Sequence, residues 1–267
     1  WLILRNGEYI TCPSTSPEAS FVKDGKKCSV DYASAFDLGL ARQLFANFQE
    51  FSTDEMLLKK VSQRLSRLRP FTCGEYGINE WSSDYNKKKK GHRHFSLLYG
   101  FYPAKVIGYH RNPQEREWVE RIYNRRIDNS SSFIGWSSAW AISLAGRLRK
   151  PETAKTIINK MIQRSFFKNL FDFHPPCFFQ IDGNFGFMSA INELLVTEED
   201  GVIELLPALP ADFTEGEIKN IRTATANVIS FTWKDGKINS LNVEGKTMKL
   251  RNINLHEELK LDNVELV

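Results

Sequence analysis

GVIELLPALP, residues 201–210, is where the texture of this chain changes, and the fold is read outward from it. Upstream, apolar residues recur at helical spacing. Ala35, Leu38, Ala41, Phe45 and Phe48 form one stripe, Trp136, Trp140, Leu144 and Leu148 another, and Ile157, Ile158, Met161 and Ile162 a third. Downstream, NVISFTW alternates, Asp235-Gly236 supplies a hairpin turn, and KINSLNVEG alternates again. The chain therefore reads as mainly α with a C-terminal all-β module, small and antiparallel, with a boundary near residue 200 stiffened by Pro207 and Pro210.

Helix starts carry their own marks. Ser52 with Glu55 reads as a capping box leading into Leu57, Leu58, Val61, Leu65 and Leu68. Asn112 before Pro113 and Glu115 gives a second start, and Pro151 a third. A further helix is expected over residues 185–196. The connections between helices are long and irregular, which suggests layered antiparallel helices whose loops do something.

The 267 residues are 42% hydrophobic and 12% aromatic, enough for one large core or two unequal ones. Lysine and arginine number 36 against 32 acidic residues, a net charge of +4 spread along the length. So weak and dispersed a charge points away from a nucleic-acid partner and toward a neutral or weakly charged ligand. No apolar run is long enough to span a membrane, so none is expected as a partner. The lysines of residues 87–90 read as a solvated loop. The opening WLILRNGEYI reads as a strand or extended segment entering a loop, with the natural N-terminus expected upstream. Cys12, Cys28, Cys73 and Cys177 show no Cys-x-x-Cys spacing, which argues against structural zinc and leaves buried thiols, or a disulfide if the protein is exported, as the readings.

Polar and aromatic residues concentrate in three loops where the helical period breaks. In CPSTSPEAS, residues 12–20, Glu18 follows Pro17 on a backbone too rich in proline and serine to be helical; it is a catalytic candidate or a surface carboxylate. In residues 77–100, Arg93 and His94 precede an apolar run read as helical and suit hydrogen bonding to hydroxyls, or they mark a helix start on the surface. Glu80 and Trp81 add a carboxylate and an aromatic face, materials for holding a sugar and equally those of a core tryptophan beside a surface glutamate. In HPPCFFQIDGNFG, residues 174–186, Gly183 lets the backbone turn and leaves Asp182 approachable; alternatively Asp182 caps the next helix. Two carboxylates are what glycosidic cleavage needs. One protonates the leaving oxygen; in an inverting enzyme the other directs water from the opposite face, about 6.5 to 9.5 Å away.

Taken in order, PSTSPE, YGINEW, GHRHFSLLYG, IGWSSAW, NLFDFHPP, QIDGNFG and LLPALP resemble the C-terminal half of the catalytic region of glycoside hydrolase family 95, the α-L-fucosidases. The resemblance implies a partial (α/α)6 toroid over residues 1–200 and a β-sandwich-like domain over residues 201–267. It implies an inverting hydrolase releasing α-linked L-fucose, α-1,2 in type, from fucosylated oligosaccharides or glycans, with no cofactor and no metal, in a secreted or extracytoplasmic setting. Glu18 inherits the role of general acid and Asp182 that of base, acting with asparagines that belong upstream of Trp1. Arg93 and His94 match the family's sugar-binding pair and His174 its histidine before the proline pair, Glu80 and Trp81 join them as substrate-binding candidates by residue type, and the missing N-terminal half of the catalytic domain becomes an expected partner. The alternative is an inactive or truncated homologue that only binds fucosylated glycans. A phosphorylase on the same scaffold is disfavoured because it would not need a carboxylate at Asp182.

This sequence departs from the family pattern in three places. Leu97 stands where a histidine is usual, and Ala19 and Phe21 where asparagine and tyrosine are usual. Cys177 and an added phenylalanine separate the proline pair from the Asp182 motif, which allows His174 to be displaced by several Å or the insertion to bulge outward.

Overall fold

The computed structural model describes residues 1–85, 91–129, 134–176, 178–251, 254–255, 259 and 262–267. The lysines of residues 87–90 and Cys177 lie outside these. The chain divides into two compact units, Trp1–Phe133 and Ile134–Val267.

In the first unit β1 (Leu2–Arg5) and β2 (Glu8–Thr11) form a hairpin. Asn6 and Gly7 both take positive φ at its turn, the pair a tight right-twisted hairpin demands. A second hairpin, β3 (Phe21–Lys23) with β4 (Lys26–Cys28), follows the first candidate loop. Helix α1 (Ala35–Phe51) starts at Ser34, whose hydroxyl accepts from the Asp37 amide, and α2 (Glu55–Leu65) starts at Asp54, whose carboxylate accepts from the Leu57 amide. The expected capping box at Ser52 is therefore corrected. Ser52 ends α1, its N–H bonded to the Phe48 carbonyl, and the aspartate two residues on supplies the cap. Ile10, Ala33, Leu38, Ala41 and Leu68 close a core between the first hairpin and α1.

Short strands β5 (Cys73–Gly74) and β6 (Gly77–Ile78) pair next. The apolar run after His94 is not an α-helix but one 3-10 turn, Ser96–Leu98, with Phe95, Leu97, Leu98 and Phe101 buried. Pro103, which cannot donate and disfavours helix in the residue before it, explains why the run stops. Helix α3 (Pro113–Asn129) begins at the expected proline and buries Val119, Ile122, Tyr123 and Arg126 on one face.

In the second unit α4 (Gly135–Arg147) is buried almost all round, and α5 (Pro151–Arg164) starts on its proline. Two-residue strands β7 (Phe173–His174) and β8 (Phe178–Phe179) follow and pair antiparallel, with His174 in register opposite Phe178. Helix α6 (Ile181–Leu195) then packs on α4. It begins four residues before the expected start: Gly183 and Gly186 are helical rather than turning. Their smallness is what packing uses, since a Cβ at Gly186 would meet the Ala139 Cβ at 2.9 Å.

Strand β9 (Val196–Glu199) continues directly from α6 and pairs with β10 (Val202–Leu205). Strands β11 (Glu215–Arg222), β12 (Val228–Lys234) and β13 (Lys237–Glu244) form an antiparallel sheet, with Asp235 and Gly236 at positive φ in the expected hairpin. Strands β14 (Met248–Leu250) and β15 (Val264–Leu266) complete a second sheet in the order β15-β14-β10-β9. The β10–β14 and β14–β15 pairs are parallel, so the module is mixed rather than wholly antiparallel. Ile203, Leu205, Ile229, Phe231, Trp233 and Leu250 are its core, joined by Leu195 at the end of α6. The described residues thus hold six α-helices, short two-stranded hairpins among them, and a C-terminal strand region. None of these helices is long and apolar enough to cross a membrane.

Candidate functional site

The first candidate loop is held by its serines. Ser14 Oγ donates to Asp37 Oδ2 at 2.6 Å, the Ser34 hydroxyl donates to the Thr15 carbonyl, and Ser14 and Asp31 exchange backbone hydrogen bonds at 2.8 Å. Ser16 Oγ, wholly buried, donates to Glu80 Oε1 at 2.9 Å. The loop ends with Glu18 at φ 50°, left-handed backbone that is unfavourable for a non-glycine residue by roughly 1 kcal/mol or more and persists because the serine anchors impose it. Glu18 itself is exposed, with Oε2 ion-paired to Arg93 Nη2 and 3.7 Å from His94 Nε2. So the structure brings Glu18, Arg93 and His94 together.

Burial and the Arg93 guanidinium push His94 down to about pKa 4, against the opposing pull of Glu18. His94 is accordingly neutral near pH 7, and its contact with Glu18 is that of an imidazole rather than a second cation. Its backbone carbonyl accepts from Arg126 Nη1.

Beneath this cluster lies a buried ion pair: Arg126 Nη2 is 3.2 Å from Glu80 Oε2, both side chains under 10% exposed. Glu80 is thus fully engaged by Ser16 and Arg126, and it positions the Glu18 loop against α3 rather than presenting a surface carboxylate. Trp81 is 2% exposed and packs on Phe21, ring centroids 4.8 Å apart, with Ala19 in the same cluster. The apolar Ala19 and Phe21 that replace the family's polar residues therefore seat Trp81 in a core. Leu97, in place of the usual histidine, is buried as well. Cys12, Cys28 and Cys73 are free thiols, half-buried rather than buried.

Arg126 was not among the sequence candidates. Its signal is its register: with Val119, Ile122 and Tyr123 it falls on the apolar face of α3, where an unpaired charge would be prohibitive.

The second unit holds the other candidates. Asp182 is exposed in the first turn of α6, with Gln180 at the N-cap, so it does not cap the helix as the bland alternative had it. His174 on β7 has Nδ1 at 2.7 Å from the Pro175 carbonyl. Two residues before His174 stands Asp172, to which the sequence alone assigned no role. It is 0% exposed, and its carboxylate makes no well-formed hydrogen bond among the described residues, since the nearby Phe173 N–H is committed to the Ser165 carbonyl. Burial pushes its carboxyl up to about pKa 6; Asp182 adds to the rise while the Phe173 backbone and His174 oppose it. A Cβ at either Gly135 or Gly183 would collide with that carboxylate. Gly183 therefore clears space, as expected of it, but for Asp172 and not for Asp182. Asn184 completes the arrangement: its Oδ1 accepts the Asp172 amide at 2.8 Å and its Nδ2 donates to the Leu170 carbonyl at 2.8 Å.

Comparison with known proteins gives these clusters a context. Residues 1–195 match the family described as "Glycosyl hydrolase family 95 catalytic domain", and residues 198–266 the "Glycoside hydrolase family 95, C-terminal domain". The chain is 33% identical over 258 residues to "Alpha-L-fucosidase 2" of Arabidopsis thaliana, covering 89% of this chain and 30% of that protein. It is 30% identical over 204 residues to "Probable alpha-fucosidase A" of Aspergillus niger, covering 69% of this chain and 26% of that protein. The chain thus spans about a third or less of the length of these curated relatives. Among solved structures, "Putative kojibiose phosphorylase from human microbiome" shares the fold at TM-score 0.54 and 9% identity, over 94% of this chain and 38% of that one. With catalytic-domain similarity across residues 1–195 and C-terminal-domain similarity beyond it, the chain belongs to glycosyl hydrolase family 95.

Proposed function

We propose that this chain supplies the acid and base carboxylates of an inverting α-L-fucosidase, acting on α-1,2-linked fucose of oligosaccharides or glycans. The observation that carries the reading is the Glu18 cluster: a carboxylate on a serine-anchored loop, in left-handed backbone, against Arg93 and His94. The names of the Arabidopsis and Aspergillus relatives support fucose as the sugar released.

In the mechanism Glu18 donates its proton to the glycosidic oxygen as the bond to the anomeric carbon breaks. Asp182 takes the proton of a water that attacks from the opposite face, the geometry of inversion. Neutral His94 and cationic Arg93 hold the sugar hydroxyls, and His174 lines the base side. Glu80 and Arg126 act by fixing the Glu18 loop. The helices belong to half of an (α/α)6 toroid over residues 1–200, completed by the preceding half of the catalytic domain, with residues 201–267 as a sandwich-like β domain; the fold shared with the kojibiose phosphorylase chain supports the helical part.

The test is hydrolysis of 2′-fucosyllactose by the native protein, followed by NMR of the newly released sugar. β-L-fucose appearing first supports the reading, whereas α-L-fucose first, or cleavage dependent on phosphate, rejects it. Binding of the trisaccharide without release supports instead a homologue that only binds.

A further inference from the structure

Asp172 is a fully buried carboxylate of the second unit that the mechanism above leaves unused. Its slot lies between the first residue of α4, Gly135, and the first turn of α6, at Gly183, and neither position has room for a side chain. A carboxylate between two helix N-termini faces the positive ends of both dipoles, which offsets part of the cost of burying its charge. The backbone at Asp172 is tied on both sides: its amide to Asn184 of α6, and the next amide, of Phe173, to the Ser165 carbonyl at 2.8 Å. Gly183 and Asn184, the two residues after Asp182, are thus both committed to Asp172.

We propose that Asp172 is a positioning residue for the reaction, fixing where α6 begins and setting the negative charge beside Asp182 and His174. This rests on the reading of Asp182 as the base. Asp172 touches no reacting atom and acts through the turn that carries Asp182. The ionisable groups bearing on it are His174, two residues on in β7, and Asp182, on α6; the wall from α4 is Gly135. Ionised Asp172 draws on both helix ends and holds the α6 turn. When it is protonated that electrostatic hold is released, so turnover should rise as pH passes upward through the titration of Asp172, near 6.

The experiment has one arm that needs no activity. In the native protein labelled at aspartate carboxyl carbons, NMR titration of Asp172 is expected to give a midpoint near 6, moving downward in Asp182→Asn because a like charge is removed. A midpoint near 4 in the unsubstituted protein, or no displacement in D182N, overturns the proposal. In the second arm, Asp172→Asn mimics the protonated form. Its kcat on 2′-fucosyllactose should fall roughly tenfold or more with KM little changed, and the rise through pH 6 should vanish. A folded D172N with the original kcat and pH profile overturns the proposal, as does a lower kcat with the pH 6 inflection intact. If D172N does not fold, the titration decides. If the unsubstituted protein releases no fucose, the functional reading fails while the titration still reports whether Asp172 and Asp182 are coupled.

Discussion

Asp172→Asn should make the protein more stable, and only above a definite pH. The folded carboxyl titrates near 6, against about 3.9 in an unfolded chain. Between those values the folded state binds more protons than the unfolded state, so stability falls as pH rises through the window and the loss is complete above pH 6. Two pH units at about 1.4 kcal/mol each set an upper limit of about 3 kcal/mol, and on the order of 2 kcal/mol remains if the slot relaxes when the group ionises. Asparagine has nearly the same shape and cannot ionise. Urea unfolding of the native protein and of D172N at pH 4 and pH 7.5 measures the effect. Near-equal stability is expected at pH 4, with D172N more stable by about 2 kcal/mol at pH 7.5. Equal stability at both pH values, or a variant weaker at pH 7.5 than at pH 4, would refute the burial argument. A variant gaining stability while losing turnover is what a strained functional site produces.

Two other variants probe the scaffold of the site. Arg126→Met leaves Glu80 buried without its cation and should cost about 3–5 kcal/mol in urea or thermal unfolding, much of it regained in the R126M/E80Q double variant; a loss under about 1 kcal/mol would mean that Glu80 finds another partner. Gly183→Ala places a better helix former within α6 yet drives its Cβ into the Asp172 carboxylate, so a net loss of about 2 kcal/mol or more is expected, recovered when Asp172 is shortened to serine. Stabilisation by G183A alone would show the slot to be loose.

What could be read from the sequence were the features written locally. Pro113 and Pro151 marked helix starts because a missing amide hydrogen is harmless there, and Asp235-Gly236 marked a hairpin because its turn needs positive φ. Ser52 misled because two residues compete for one helix start, and Asp54 wins by reaching the Leu57 amide at 2.9 Å. The start of α6 was misplaced because glycine signals a turn in sequence, whereas Gly183 and Gly186 are selected by what lies against them. Parallel pairing of β10 with β14 joins segments more than forty residues apart, and nothing local encodes it. The site divides the same way. Glu18 and Arg93 lie 75 residues apart, so motif resemblance, not spacing, grouped them. Arg126 looked like one more charge on a helix, and Asp172 like one polar residue among phenylalanines, because burial is set by the rest of the fold.

The central claim, that Glu18 is the acid and Asp182 the base, is tested most directly by changing the leaving group. α-L-Fucosyl fluoride departs without protonation, so an acid is dispensable for it while a base is not. Turnover of the fluoride and of 2′-fucosyllactose should be measured in the native protein, Glu18→Gln and Asp182→Asn. E18Q should lose about 10²–10⁴-fold on the glycan but little on the fluoride, and D182N should be crippled on both. Equal losses on both substrates in E18Q, or near-normal fluoride turnover in D182N, would contradict it.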